Sequence, residues 1–341
     1  MTKLNTYNPT TGELLASLDV ASDNAIDEML VSAKAAQAIW GAKSVQERAD
    51  IVVKAYEGIT AQEQELADLI HTEMGKTPAE ALSEVRAYAG GIANMASEVV
   101  EALEPVERKA GNTVTTTYHD PLGVCASITP WNFPMGMPHT LMMPSLMAGN
   151  TILFKPSEEV PLIGIKYAEI LNKVLPENIL QVVVGTGEQG KKLVESDVQL
   201  ITFTGSQATG KHILSQAGKD LKRVLLELGG KDPLIVLEDA DIDAAAKFAA
   251  GNSFRNAGQV CVSTEQIFVL EAHEEEFVAK LKEYAGEVQI GAMIHSRQRD
   301  QVVKQVNEAL DKKDIEEIRK LIKDVIGDVY RDIWLKRNAW K

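Results

Sequence analysis

The feature that most restricts how this chain folds is a series of short apolar runs from Gly149 onward, most separated by helix-patterned stretches. TILF (151–154), LQVVV (180–184), LITF (200–203), RVLLEL (223–228) and PLIVL (233–237) are predominantly apolar, as strands buried on both faces are. Helical stretches such as Pro161–Leu175, Lys191–Ser196 and Lys211–Ala217 lie between most of them. This βαβα rhythm predicts an α/β fold built on an open, doubly wound parallel sheet. Ligands of such sheets gather beyond the carboxyl ends of the strands, so chemistry is to be sought just after each apolar run.

Upstream, residues to about Arg108 read as a hairpin turned at Asn8, Pro9 and Gly12, followed by long amphipathic helices. Alternation over 113–118 and the apolar run GVCASIT (123–129) add further strands. Past Ala272 the pattern becomes helical. From Asp314, residues Ile315, Ile318, Ile322, Val325, Val329 and Ile333 fall on one helical face, with Glu317 spaced from Asp314 as in a capping box. That tail is expected to pack on the body or on another copy, which leaves a homo-oligomer open.

A length of 341 residues allows two domains. The net charge of -14 disfavours nucleic acid, whose phosphates require a basic surface, and equally an anionic membrane. No apolar run reaches the roughly 18–20 residues that span a bilayer, and the N-terminus has no apolar core of a leader, so a cytoplasmic location is expected. The two cysteines, Cys125 and Cys261, are too few for a disulfide framework, and the six histidines show no metal-ligand spacing.

Several segments could carry chemistry. Gly185-Thr-Gly187-Glu-Gln-Gly190 matches G-x-G-x-x-G after a strand. The next strand, however, ends in Thr204-Gly205-Ser206 and not in the acid that a dinucleotide fingerprint requires. Phe203-Thr204-Gly205-Ser206 reads either as a pyrophosphate site at a helix start or as a plain turn. Lys155-Pro156-Ser157-Glu158 closes another strand, and its charged pair suits either a ribose or a solvated loop. In Thr129-Pro130-Trp131-Asn132-Phe133-Pro134 the prolines stiffen the backbone around an amide suited to an oxyanion hole, or simply make a rigid aromatic loop. Glu227 ends an apolar strand before Gly229-Gly230. There it is either a poorly solvated general base or the ion-pair partner of Lys231. Cys125, inside an apolar run, reads as core, whereas Cys261 follows a polar Gly258-Gln259 turn that substrate could reach.

In their order, TPWNFP, FKPSE, FTGS, ELGGK and NAGQVC closely resemble the aldehyde dehydrogenase superfamily, nearest its succinate-semialdehyde branch. The resemblance runs from about Tyr7 to about Ala309. It implies Cys261 as nucleophile, Glu227 as general base and Asn132 as oxyanion donor. It also implies NAD, with NADP less favoured, held by Trp131, Lys155, Pro156, Ser157, Glu158, Gly187, Phe203, Thr204, Gly205, Ser206 and Leu228. The substrate would be a small aldehyde. The implied organisation is a cofactor-binding domain over 1–235 with helices at its start, part of a catalytic domain over 236–290, and a helical tail over 291–341. The family's E-x-F-G-P and N-x-x-P-F-G-G segments are absent, GEVQI (286–290) shortens a linker, and Gln266 replaces a common basic residue. These departures lead one to expect a chain whose C-terminal part is truncated or replaced. Such a chain is either a working dehydrogenase or a cofactor-binding remnant with little oxidation activity.

Overall fold

The structure, a computed structural model, describes residues 2–311, so the helical tail expected from Asp314 lies outside the described residues. The chain divides into two compact units, Met1–Met74 with Pro78–Leu228, and Gly75–Thr77 with Gly229 onward.

The first unit opens with the hairpin β1 (Lys3–Tyr7) and β2 (Leu14–Asp19). The Asn8 side chain accepts from the Thr10 and Thr11 N–H groups, and Gly12 takes the left-handed φ of +77° that the turn needs. Next come α1 (Asp23–Gly41), α2 (Val45–Ala61), α3 (Glu63–Met74) and α4 (Pro78–Ala102). Ser22 caps α1, and Ser44 with Glu47 forms a capping box on α2. A second hairpin, β3 (Val106–Ala110) and β4 (Thr113–Thr117), is largely exposed.

The sheet then begins with β5 (Val124–Ile128), α5 (Gly136–Met147), β6 (Thr151–Lys155), α6 (Pro161–Leu171) and β7 (Leu180–Val182). It continues through α7 (Gly187–Glu195), β8 (Leu200–Gly205), α8 (Gln207–Ala217) and β9 (Arg223–Leu228). All five strands are parallel, in the order β7-β6-β5-β8-β9. The chain therefore winds outward from β5 to β7 and returns to β8 on the other side of β5. Right-handed crossovers then require opposite faces for the two halves. Helices α5 and α6 pack against α2, α3 and α4. On the other side, α1, α7 and α8 close a core of Ile26, Leu30, Leu193, Ile201, Phe203 and Ile213.

Two buried carboxylates fasten the N-terminal helices to the sheet. Helix α6 starts after Val160, which offers no side-chain cap. Instead Glu73, on α3 and fully buried, accepts from the Leu162 and Ile163 N–H groups, each at 2.9 Å, and from the Thr6 hydroxyl at 2.9 Å. Helix α5 likewise lacks a cap of its own, and Glu84 of α4 supplies it.

The second unit holds β10 (Asp232–Ile235), α9 (Ile242–Phe254), β11 (Thr264–Phe268), α10 (Glu271–Glu287) and α11 (Ser296–Asp311). Its core gathers Val236, Ile242, Ala246, Ala249 and Phe277. The sequence suggested PLIVL as one more strand of the main sheet. It forms β10 instead and pairs in parallel with β11 in a separate two-stranded sheet. An apolar run signals a buried strand but not its partner, and Gly229-Gly230 interrupts the chain just after β9.

Burial pushes the Glu73 carboxyl up to about 7 against the lowering effect of its hydrogen bonds. A carboxyl whose folded-state pKa is raised contributes stability that is full below its unfolded value and lost as pH climbs through 7. Wild-type stability relative to Glu73→Gln should therefore fall by up to roughly 3 kcal/mol over that window. Denaturant unfolding of both proteins across the pH range checks this, and a pH-independent difference would contradict it.

Candidate active site

Beyond the carboxyl ends of β5, β6 and β8 the first unit opens a cleft of about 370 Å³. Its position follows from register. Ile128 at the end of β5 pairs with Lys155 of β6 on one side and Phe203 of β8 on the other, so the segments that follow emerge on one rim. Trp131, Lys155, Ser157, Glu158, Gly187, Phe203, Thr204 and Gly205, all singled out from sequence, line it.

The β6 end supplies charge. Lys155 is almost completely buried, and its ammonium donates to the Pro156 carbonyl and to a Glu158 carboxylate oxygen, both at 3.2 Å. Burial pushes the Lys155 pKa down, while Glu158 works the other way. Glu158 itself remains partly exposed at the cleft. Pro156 packs against α6. A Cβ added at Gly164 would come within 2.5 Å of its ring, so the bend after β6 has little room to shift.

At the β8 end Ser206 caps α8, its hydroxyl accepting from the Thr209 N–H at 3.2 Å. The buried Thr204 hydroxyl has no hydrogen-bond partner, an unmet need at the edge of the cleft. Leu228 packs against the apolar core of the sheet and fills the space beside Gly210 of α8. The G-x-G-x-x-G run opens α7, but Thr186 and Gln189 close that helix start with a capping box.

Sequence reasoning did not single out Lys191 and Glu195 of α7 or Thr209, His212 and Gln216 of α8, which also line the cleft. Their signal was helical spacing: each set recurs at three- or four-residue intervals on one face.

Asn132 is half-buried in the loop from β5 to α5. Glu227 differs from the expectation of a poorly solvated carboxyl. It lies on β9, the outermost strand, where Arg223, Leu225 and Glu227 are exposed and the alternate residues are half-buried. Lys231 pairs with Glu265 of β11 at 3.2 Å. Cys125 is core, as expected, and burial lifts its thiol to about 11.

In the second unit Cys261 is a free, half-buried thiol in the turn before β11. The approach to it is strained: Asn256, Ala257 and Gly258 take left-handed φ values of 51°, 55° and 74° in succession. Only glycine adopts that region at no cost, so the surroundings must hold the other two. Buried Gln259 does much of this. Its amide donates to the Asn256 carbonyl at 2.9 Å and accepts from the Ile294 N–H at 3.0 Å. From α9, Asn252 donates to the Val262 carbonyl at 3.2 Å and Ser253 to the Thr264 carbonyl at 2.8 Å. The backbone around Cys261 is thus tied down while its side chain stays reachable.

Comparison with known proteins decides the family. The family model for aldehyde dehydrogenases matches residues 1–316. The chain belongs to the aldehyde dehydrogenase family. An aldehyde dehydrogenase from Brucella melitensis biovar abortus 2308 is 32% identical, with a TM-score of 0.87 over 92% of this chain and 68% of that one. Lactaldehyde dehydrogenase from Escherichia coli is 31% identical, with a TM-score of 0.86 over 92% and 69%. PnpE, solved with nicotinamide adenine dinucleotide, is 30% identical, with a TM-score of 0.87 over 92% and 67%. The chain thus spans about two thirds of each of these three neighbours and, with the family, is an oxidoreductase. Among the described residues no helix is long and apolar enough to cross a membrane.

Replacing Gln259 by Leu would strand the buried Ile294 N–H, while the Asn256 carbonyl keeps the residue-259 backbone N–H as donor. A loss of about 1–3 kcal/mol is expected, read as a lower urea midpoint. An unchanged midpoint would show that Gln259 does not hold the turn.

Proposed function

We propose that this protein oxidises a small aldehyde to its carboxylic acid, using NAD in preference to NADP. The observation that carries the proposal is the cleft beyond β5, β6 and β8, with the Lys155–Glu158 pair on its rim. A partly exposed carboxylate held by a buried cation can accept hydrogen bonds from both hydroxyls of a ribose. The same carboxylate would repel a 2′-phosphate. The unpartnered Thr204 hydroxyl and the start of α8 at Ser206 fit a phosphate-bearing ligand in the same cleft. Pro156 and Leu228 act from behind by packing, and Trp131, Ser157, Gly187, Phe203 and Gly205 form walls. NAD, when bound, supplies the hydride acceptor.

The remaining chemistry falls to side chains, by their match to family motifs. The Cys261 thiolate attacks the aldehyde carbon to form a thiohemiacetal. Asn132 and the Cys261 N–H donate to the resulting oxyanion, whose charge drives the carbon-bound hydrogen out as hydride. Cys261 then carries a thioester. Glu227 accepts a proton from the water that attacks the thioester carbon, the C–S bond breaks to release the acid, and the Cys261 thiolate is restored. Residues 1–235 bear the cofactor role in this scheme and 236–290 the nucleophile.

The exposure of Glu227 on the outermost strand favours a second reading, a cofactor-binding protein with little oxidation activity. Incubation with NAD and a panel including succinate semialdehyde and lactaldehyde separates the two. The first predicts reduced-nicotinamide absorbance for at least one aldehyde, abolished in Cys261→Ser. No signal across the panel, or a signal that survives Cys261→Ser, would contradict it.

A further inference from the structure

The loop that carries Asn132 is anchored at both ends, and the second anchor comes from outside the sheet. Its first end leaves β5, where the Thr129 N–H donates to the Lys155 carbonyl at 3.1 Å. Its second end runs into α5, whose cap residue Met135 has no side chain able to accept from the helix start. The N–H groups of Met135 and Gly136 donate instead to one carboxylate oxygen of Glu84, at 3.1 and 3.0 Å. Glu84 sits on α4, 5% exposed, and a negative charge there also complements the positive end of α5. One turn further along α4, Tyr88 presses on the same spot. A Cβ added at Gly136 would come within 2.4 Å of its ring. The Tyr88 ring also lies 5.1 Å, centroid to centroid, from that of His139, one turn into α5.

From this geometry we propose that Glu84 is a positioning residue for the oxyanion donor. Its carboxylate fixes Met135 and Gly136, and through them the amide of Asn132 three residues earlier. The proposal rests on the role given above to Asn132. An oxyanion donor acts on charge that exists only during reaction, so a displaced Asn132 lowers kcat and leaves ground-state binding of NAD alone.

The test is steady-state kinetics on Glu84→Ala, Glu84→Gln, Asn132→Ala and the Glu84→Ala/Asn132→Ala double variant, each with its melting temperature. Glu84→Ala should lose up to about a hundredfold in kcat, the scale of a small misplacement of a reacting group, with KM for NAD unchanged. Glu84→Gln keeps an oxygen that can accept from both N–H groups and should recover most of the loss. The double variant should be no slower than Asn132→Ala alone, because both changes remove one function.

A merely structural role for Glu84 predicts otherwise: independent, multiplying losses, and a raised KM for NAD alongside the lowered melting temperature. Either result overturns the proposal, as does full kcat in Glu84→Ala when Asn132→Ala is slow. Full activity in Asn132→Ala, or no turnover by the unaltered chain, overturns the reading of the site and this inference with it. Should Glu84→Ala not fold, Glu84→Asp, one methylene short of the two N–H groups, replaces it. An intermediate kcat loss at constant KM is then expected, and unchanged kcat contradicts the proposal.

Discussion

The reversal of strand order at β5 is the constraint on which the site depends. Because the chain winds one way through β6 to β7 and then resumes at β8 on the other side, the connections after β5 and β8 leave on opposite faces. Those two connections therefore diverge from the crevice between their carboxyl ends. Trp131, Lys155, Glu158, Thr204 and Gly205, up to 74 positions apart in sequence, share one rim for that reason. The parallel pairing of Ile128 with both Lys155 and Phe203 sets them level.

The N-terminal helices complete what the sheet helices lack. Neither α5 nor α6 brings a capping side chain, and Glu84 and Glu73 fill those places from α4 and α3. At the other end of α5, buried Arg48 of α2 donates to the Met147 carbonyl at 2.7 Å, and Trp40 of α1 to the Leu146 carbonyl at 2.8 Å. A cation at the helix C-terminus and a carboxylate at its N-terminus both complement the helix dipole. Buried charges of this kind are costly if one partner is removed. Helix α5, and with it the loop before it, is therefore held from outside at both termini.

Much of this was legible in the sequence because parallel strands buried on both faces leave uninterrupted apolar runs. TILF and LITF announced β6 and β8, and the residues just after them proved to face one cleft. The glycine run at 185–190 opens α7, where Thr186 and Gln189 form a capping box. What did not show were partners in trans. PLIVL read as a strand of the main sheet because no pattern within it names its neighbour, β11. Glu84 gave no signal, since its hydrogen bonds span 51 and 52 positions. Glu227 read as poorly solvated because an apolar strand sequence does not say whether that strand is outermost. At Cys261 the glycine marked a turn, but the left-handed Asn256 and Ala257 follow from clamps that only the fold assembles.

The claim underlying the whole account is that Glu158, seated on buried Lys155, reads the hydroxyls of an adenosine ribose. Isothermal titration of NAD into the wild-type chain and into Glu158→Ala tests it without requiring turnover. The account predicts saturable binding to wild type at one site and affinity at least about tenfold weaker in the variant, a loss of about 1.4 kcal/mol. Equal affinity in the two proteins, or no binding to either, would contradict it.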